Sequence, residues 1–118
     1  DKIAIGKREN KGVLSGMWEL PNLDGELTKP QVLQWMSEQQ FDIKEIQKMK
    51  DTGKALKHIF THIEWHMTCW IVICESVANE NGFTWVTTGQ LENEIALPTA
   101  FKKVYQKMQE SFAEGAFL

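Results

Sequence analysis

Cysteine is scarce in this 118-residue chain. Only Cys69 and Cys74 are present, which excludes a disulfide framework and any four-thiolate zinc or iron–sulfur site. Their odd spacing within one apolar run puts them on opposite faces of a strand, where they cannot bridge each other and read as small buried hydrophobes. Positive charge is not in excess either, since 13 Lys and Arg against 16 Asp and Glu leave a formal net charge of -3. An autonomous nucleic-acid binder needs a surplus of cations against phosphate, so a nucleic-acid role here has to rest on local patches or on a tether. Long hydrophobic runs are missing, and the first residues, from Lys2 to Arg8, do not form a signal peptide. The expectation is a cytoplasmic protein with no membrane span.

Aromatic residues, by contrast, are plentiful: five Trp and six Phe within 42% hydrophobic content suffice for one well-filled core and not for two domains. A single domain is expected over 1–112, with a tail at 113–118. Residues 2–8 alternate in the manner of a strand with Ile3 and Ile5 inward. A chain that opens directly in a strand, without Met or a polar lead, is expected to be a fragment of a longer protein. Residues 9–12 are turn chemistry, Gly12 and Gly16 bracket an apolar pair, and 17–20 form a short strand stopped by Pro21. Thr28, Pro30 and Gln31 make a capping-box start for a helix running to about Gln40, with Val32, Leu33, Trp35 and Met36 on its apolar side.

Residues 43–52 are expected to be a strand that turns at 51–53 into a neighbouring strand at 55–60. The run 63–75 is the longest strand pattern. Its odd positions are uniformly apolar, while its even positions are polar near residue 62 and apolar from Trp70 onward. It therefore predicts a central strand with one wet end. A turn at 79–82, a short strand at 83–86 and one or two helical turns within 87–94 follow. The last helix, after Leu97 and Pro98, carries Phe101, Val104, Tyr105, Met108 and Phe112 on one stripe.

The wet end of the long strand meets the densest group of aromatic, imidazole and hydroxyl side chains, residues 57–66. Phe60, Thr61 and His62 read as a turn that delivers a base-contacting tip; the competing reading is a hairpin corner whose hydroxyl caps a turn and whose aromatics fill a core. Phe60 can wedge beside a base or pack inward, and His62 can approach a phosphate or brace the turn. Lys57, His58 and Lys54 lie upstream, and Lys7, Arg8 and Lys11 sit at the first loop, as a possible strip for phosphate contacts. Each is equally readable as part of a solvated face. A zinc site fails on geometry, because His58, His62 and His66 spaced four apart along a strand are separated by about 13 Å. No metal ligand set is expected.

Three segments in order, residues 11–21 (Lys-Gly-Val-Leu-Ser-Gly-Met-Trp-Glu-Leu-Pro), 58–62 (His-Ile-Phe-Thr-His) and 97–99 (Leu-Pro-Thr) before a helix, resemble the C-terminal domain of MutY-type adenine DNA glycosylases. The resemblance covers nearly the whole chain. It implies an α+β architecture, a Nudix-like mixed β-sheet flanked by α-helices, that recognises 8-oxoguanine paired with adenine in base excision repair. It further implies duplex DNA and an N-terminal catalytic domain as partners, with that domain holding an iron–sulfur cluster and the excision chemistry, in a bacterial cytoplasm with the nucleoid. No cofactor and no catalytic residue are expected in this chain. The family's Phe-Ser-His turn maps onto Phe60, Thr61 and His62, with Thr61 keeping the hydroxyl and adding a methyl.

The Nudix likeness also raises a nucleoside diphosphate hydrolase. Such enzymes gather Mg²⁺ through Arg-Glu and Glu-Glu pairs on a helix, and the helix here has Trp35, Met36, Gln39 and Gln40 at those places. Neutral amides and a thioether are poor ligands for a hard cation. A third reading is a degenerate Nudix fold used for protein contact through a surface near Trp18 and Trp35.

Overall fold

The computed structural model describes residues 2–10, 12–49, 56–60, 63–75 and 82–113. In chain order the elements are β1 (Lys2–Lys7), β2 (Trp18–Glu19), α1 (Lys29–Glu38), β3 (Ile43–Lys48), β4 (Leu56–Ile59), β5 (Glu64–Met67), β6 (Trp70–Cys74), β7 (Thr84–Thr87), α2 (Thr88–Asn93) and α3 (Thr99–Ala113). The class is α+β, as the family resemblance implies. All pairings among the described residues are antiparallel and form three sheets, β2–β1–β7, β3–β6 and β4–β5; the parallel pair that a mixed sheet requires is not among them.

β1 is the centre of the molecule because both its edges are paired and both its faces are covered. Ile5 has no exposed surface and packs with Val86, Leu91, Leu97, Phe101 and Tyr105 on the side of α2 and α3. Ala4 points the other way, into Val32, Met36 and Phe41 on the side of α1. The sheet thus lies between two apolar clusters, and each helix turns one stripe toward it. In α3 the stripe is buried at Phe101 and Tyr105 but ends at the surface, where Phe112 is 44% exposed. Because α3 continues through Ala113, the expected boundary after residue 112 falls inside its last turn.

The helix ends are closed by local chemistry. Thr28 accepts the Gln31 backbone N–H at 3.4 Å while the Gln31 side chain accepts the Thr28 N–H at 2.8 Å, the capping box that the sequence predicts. At the other end Gln40, at φ 65°, reverses the chain, with its N–H donating to the Ser37 carbonyl and the Phe41 N–H donating to the Met36 carbonyl. This is a Schellman closure with glutamine where glycine is usual, and it drops Phe41 into the core. Thr87 and Gln90 form a second capping box that starts α2.

Two expectations for the middle of the chain are corrected. β3 does not pair with β4; it pairs with β6, from Ile43 opposite Cys74 to Lys48 opposite Trp70, and β4 pairs with β5 instead. The residues at 51–53 that suggested a turn lie outside the described residues. The run 63–75 is also not one strand, since it is broken at Thr68 and Cys69 between β5 and β6. Register explains the break: from Lys48 to Leu56 is eight residues, while their partners Trp70 and Met67 are three apart, so no continuous ladder can span both pairs. The Met49 N–H donating to the Cys69 carbonyl at 2.9 Å is the last bond of the β3–β6 register. Partial burial pushes the Cys69 thiol up to about 11, with Lys107 opposing, and burial and then Asp42 push Cys74 up as well.

Among the described residues no helix is long and apolar enough to cross a membrane.

Candidate nucleic-acid interface

β4 and β5 form a hairpin with Leu56 opposite Met67 and Ile59 opposite Glu64. Beyond them the Phe60 N–H donates to the Ile63 carbonyl at 2.7 Å, which extends the pairing by one residue on each strand toward Thr61 and His62. Those two residues, Thr61 and His62, lie outside the described residues, as do Lys11 and Lys54.

The hairpin has one inward and one outward side. On the inner side Phe60 packs edge-on against His58 at 4.7 Å and against Trp65 at 4.9 Å, and Trp65 in turn meets Phe101 at 5.7 Å between ring centroids. A chain of rings therefore runs from the tip to the α3 core. Of the two roles open to Phe60, this contact pattern is the inward one. His58 contributes a ring edge to the same packing, and its Nδ1 is buried without a hydrogen-bond partner.

On the outer side Lys57 Nζ and His66 Nε2 lie 3.5 and 2.9 Å from Glu64 Oε1. All three side chains are well exposed, so the group is a solvated cluster of modest energetic weight. Lys103 on α3 reaches the hairpin and donates to the Lys57 carbonyl at 3.1 Å. Near the tip the surface becomes apolar, with Ile59 63% and Ile63 47% exposed.

The first loop comes to the same place from β1. Lys7 lies over the Trp18 ring at 5.0 Å and stays exposed. Arg8 differs: its guanidinium carbon sits 5.1 Å from the Trp65 ring centroid, its Nε donates to the Val13 carbonyl at 3.1 Å, and Nη1 lies 3.4 Å from Glu19 Oε1. The loop beneath is closed by the Arg8 N–H donating to Met17 and the Gly16 N–H donating to Glu9. Gly16, at φ 71°, holds a left-handed backbone that favours glycine, and a Cβ there would also displace the Asn10 side chain, whose Oδ1 lies 2.9 Å away. Of the residues expected at the site, the structure thus brings Phe60, His58 and Arg8 together around Trp65. Trp65, Glu19 and Lys103 are additions. Nothing in the local sequence marks them, since Trp65 reads as one more apolar position of a strand.

Two alternative sites are weakened by side-chain placement. Trp18 packs with the cluster on the α3 side and Trp35 with the cluster on the α1 side, so they do not share a surface. Met36 is 7% exposed in the α1 cluster, Gln39 caps the helix and Gln40 makes the reversal. Among the described residues no three His, Cys, Asp or Glu side chains converge as metal ligands. A space of about 1560 Å³ lies between the β1 and β6 ladders, bounded by Ile3, Trp35, Ile71, Trp85 and Tyr105. It exceeds the roughly 300–1,000 Å³ of a ligand pocket, and its walls are the core clusters themselves, so it is interlayer space.

A family model described as NUDIX domain matches residues 1–107 of the chain. A search of the curated proteins finds no match.

Proposed function

The chain belongs to the NUDIX domain family, and on that premise we propose that it is the domain of an adenine DNA glycosylase that reads 8-oxoguanine opposite adenine. The observation that carries the reading is the support of the residues on either side of Thr61 and His62: the Phe60 N–H donates to the Ile63 carbonyl, and the Phe60 ring packs against His58 and Trp65. Reading a single base edge requires rigid support of this kind next to the contacting residues.

The chemistry of Thr61 suits that edge. Oxidation at C8 converts N7 of guanine from an acceptor to an N–H donor and adds a carbonyl acceptor. A hydroxyl both accepts and donates, so Thr61 takes the N7 hydrogen while its own proton, or a backbone N–H of the turn, meets O8. Unmodified guanine offers an acceptor at N7 and nothing at C8. Lys57 and Lys7, both exposed, supply phosphate contacts, with Lys11 and Lys54 as further candidates. His62 either joins them or braces the turn.

Two-point discrimination of this kind is worth about 1–3 kcal/mol, roughly tenfold to a hundredfold. Selectivity so modest is useful when a second DNA-binding domain holds the reader at high effective concentration. The partners are accordingly duplex DNA containing 8-oxoguanine:adenine and an N-terminal catalytic domain of the same chain, which carries the iron–sulfur cluster and removes the adenine. The residues here do not fit such a cluster, since the chain has two cysteines, both partly buried, and among the described residues no three His, Cys, Asp or Glu side chains converge. Hydrolysis of a nucleoside diphosphate is the reading that α1 opposes, because a half-buried Trp stands at the arginine position and a core Met and two glutamines stand at the carboxylate positions.

The test is Thr61→Ala in the full-length protein, with binding and excision compared on 8-oxoguanine:adenine and guanine:adenine duplexes. The expected result is loss of the preference by about tenfold to a hundredfold. An unchanged preference removes the base-reading role.

A further inference from the structure

Arg8 is separated from the tip by more than fifty residues of sequence, yet it lies against the same ring that supports Phe60. We infer that Arg8 is a positioning residue for the reading tip, acting through Trp65, and not a phosphate contact. This deepens the proposed base-reading role and rests on it.

The argument begins with where the guanidinium is spent. Its side chain is 21% exposed and its carboxylate partner Glu19 is 17% exposed, so the pair is held largely inside the protein. Nε is committed to the Val13 carbonyl, Nη1 faces Glu19, and the guanidinium carbon lies over the Trp65 ring, 5.1 Å from its centroid. A cation placed this way is attracted to the negative face of the indole. A phosphate contact asks for a cation at the surface, as with Lys7 and Lys57, whose side chains are exposed although Lys7 lies over Trp18 and Lys57 beside Glu64.

The second step follows the ring. Trp65 is gripped by Arg8, by the edge of Phe101 from the core and by Phe60 from the tip. Phe60 also makes the hydrogen bond that closes the turn. Rotation of the Trp65 ring therefore moves Phe60, the neighbour of Thr61 in sequence. Arg8 in turn is anchored by the loop on which Val13 and Met17 sit. The first loop and the tip behave as one unit joined at Arg8.

The two roles differ in what they do to binding. A lost phosphate contact weakens both duplexes equally and lowers the salt slope by about one. A lost positioning contact leaves the salt slope alone and lowers the preference for the oxidised base. Lysine also separates them: it replaces arginine well at a phosphate but lacks the planar face and the Nε–H.

The experiment uses full-length protein carrying Arg8→Lys, Arg8→Gln, Thr61→Ala and the Arg8→Lys/Thr61→Ala double substitution, with circular dichroism to verify folding. Duplex affinity is measured against salt for 8-oxoguanine:adenine and guanine:adenine. Arg8→Lys is expected to keep the guanine:adenine affinity and the salt slope while lowering the preference by about twofold to thirtyfold, the range of a cation–π contact. Combined with Thr61→Ala it is expected to cost no further preference, because both act on one contact. Equal loss on both duplexes with a shallower salt slope, or full function in Arg8→Lys, overturns the inference. If Thr61→Ala alone retains the preference, the base-reading role falls and the inference with it; if Thr61→Ala loses it and Arg8→Lys does not, only the inference falls.

Discussion

β1 and the β4–β5 hairpin are built on opposite terms. β1 is hydrogen-bonded on both edges and covered on both faces, with Ile5 fully buried. Among the described residues the hairpin pairs only with itself and turns Lys57, Ile59, Glu64 and His66 outward. Its inner side reaches the core through Phe60, Trp65 and Phe101, supplemented by the Lys103 bond to the Lys57 carbonyl. A change near β1 is therefore felt by the whole fold, whereas a change at the hairpin is felt locally. The proposed reading tip belongs to the second kind of element, tied to the fixed scaffold through the rings of its inner side.

Phe101 belongs to both regions, and Phe101→Ala is the largest test of the comparison. It removes a ring that is 3% exposed in the α3 cluster and the edge that supports Trp65. The expected cost is about 3–5 kcal/mol of unfolding free energy, read from denaturant titration. A loss below about 1 kcal/mol would mean that the cluster around Ile5 closes without it, and that core and hairpin are less unequal than their packing indicates.

How far the sequence revealed this arrangement depends on how local each cause is. The α1 start was legible because Thr28, Pro30 and Gln31 act within one turn, and the α3 stripe because Phe101 and Tyr105 repeat at helical spacing. The second capping box, Thr87 with Gln90, follows the same rule and was readable in the same way, although only a short helix was expected there. Strand partners were not legible. The choice of β6 over β4 as the partner of β3, and the break at Thr68 and Cys69, follow from unequal arm lengths, which alternation of apolar residues does not encode. At the site, the aromatic turn stood out at Phe60, but the Arg8 stack on Trp65 joins residues 57 positions apart and carries no local signature.

Cys69 sits where the two ladders of the long hairpin part company, so it reports whether the tip half opens by itself. Burial holds its thiol neutral, moving it from 9.0 to about 11. The sign follows: stability from this group is full below about pH 9, where both folded and unfolded chains keep the proton, and is lost as pH rises from there through about 11. At pH 8 the folded thiol is expected to alkylate about a hundredfold more slowly than the same residue in urea, as mass spectrometry of the modified peptide measures. Fast alkylation with slow amide exchange retained in β1 would show the β4–β5 half opening while the β1 core stays intact.

Glu64 gives the smallest effect and the finest distinction between the regions. Its carboxylate holds Lys57 at 3.5 Å and His66 at 2.9 Å on the exposed side of the hairpin. Exposed pairs of this kind contribute about 0.2–1 kcal/mol and weaken with salt, so Glu64→Gln is expected to lower stability by no more than that. The same change removes a negative charge beside the proposed reading tip and releases Lys57 toward phosphate. Duplex affinity at low salt is then expected to rise a few-fold for 8-oxoguanine:adenine and guanine:adenine alike, since the gain is electrostatic and carries no base information. An altered preference at unchanged affinity would instead assign Glu64 to the framing of the turn, and the outer side of the hairpin would share in the positioning that the inner side performs through Trp65.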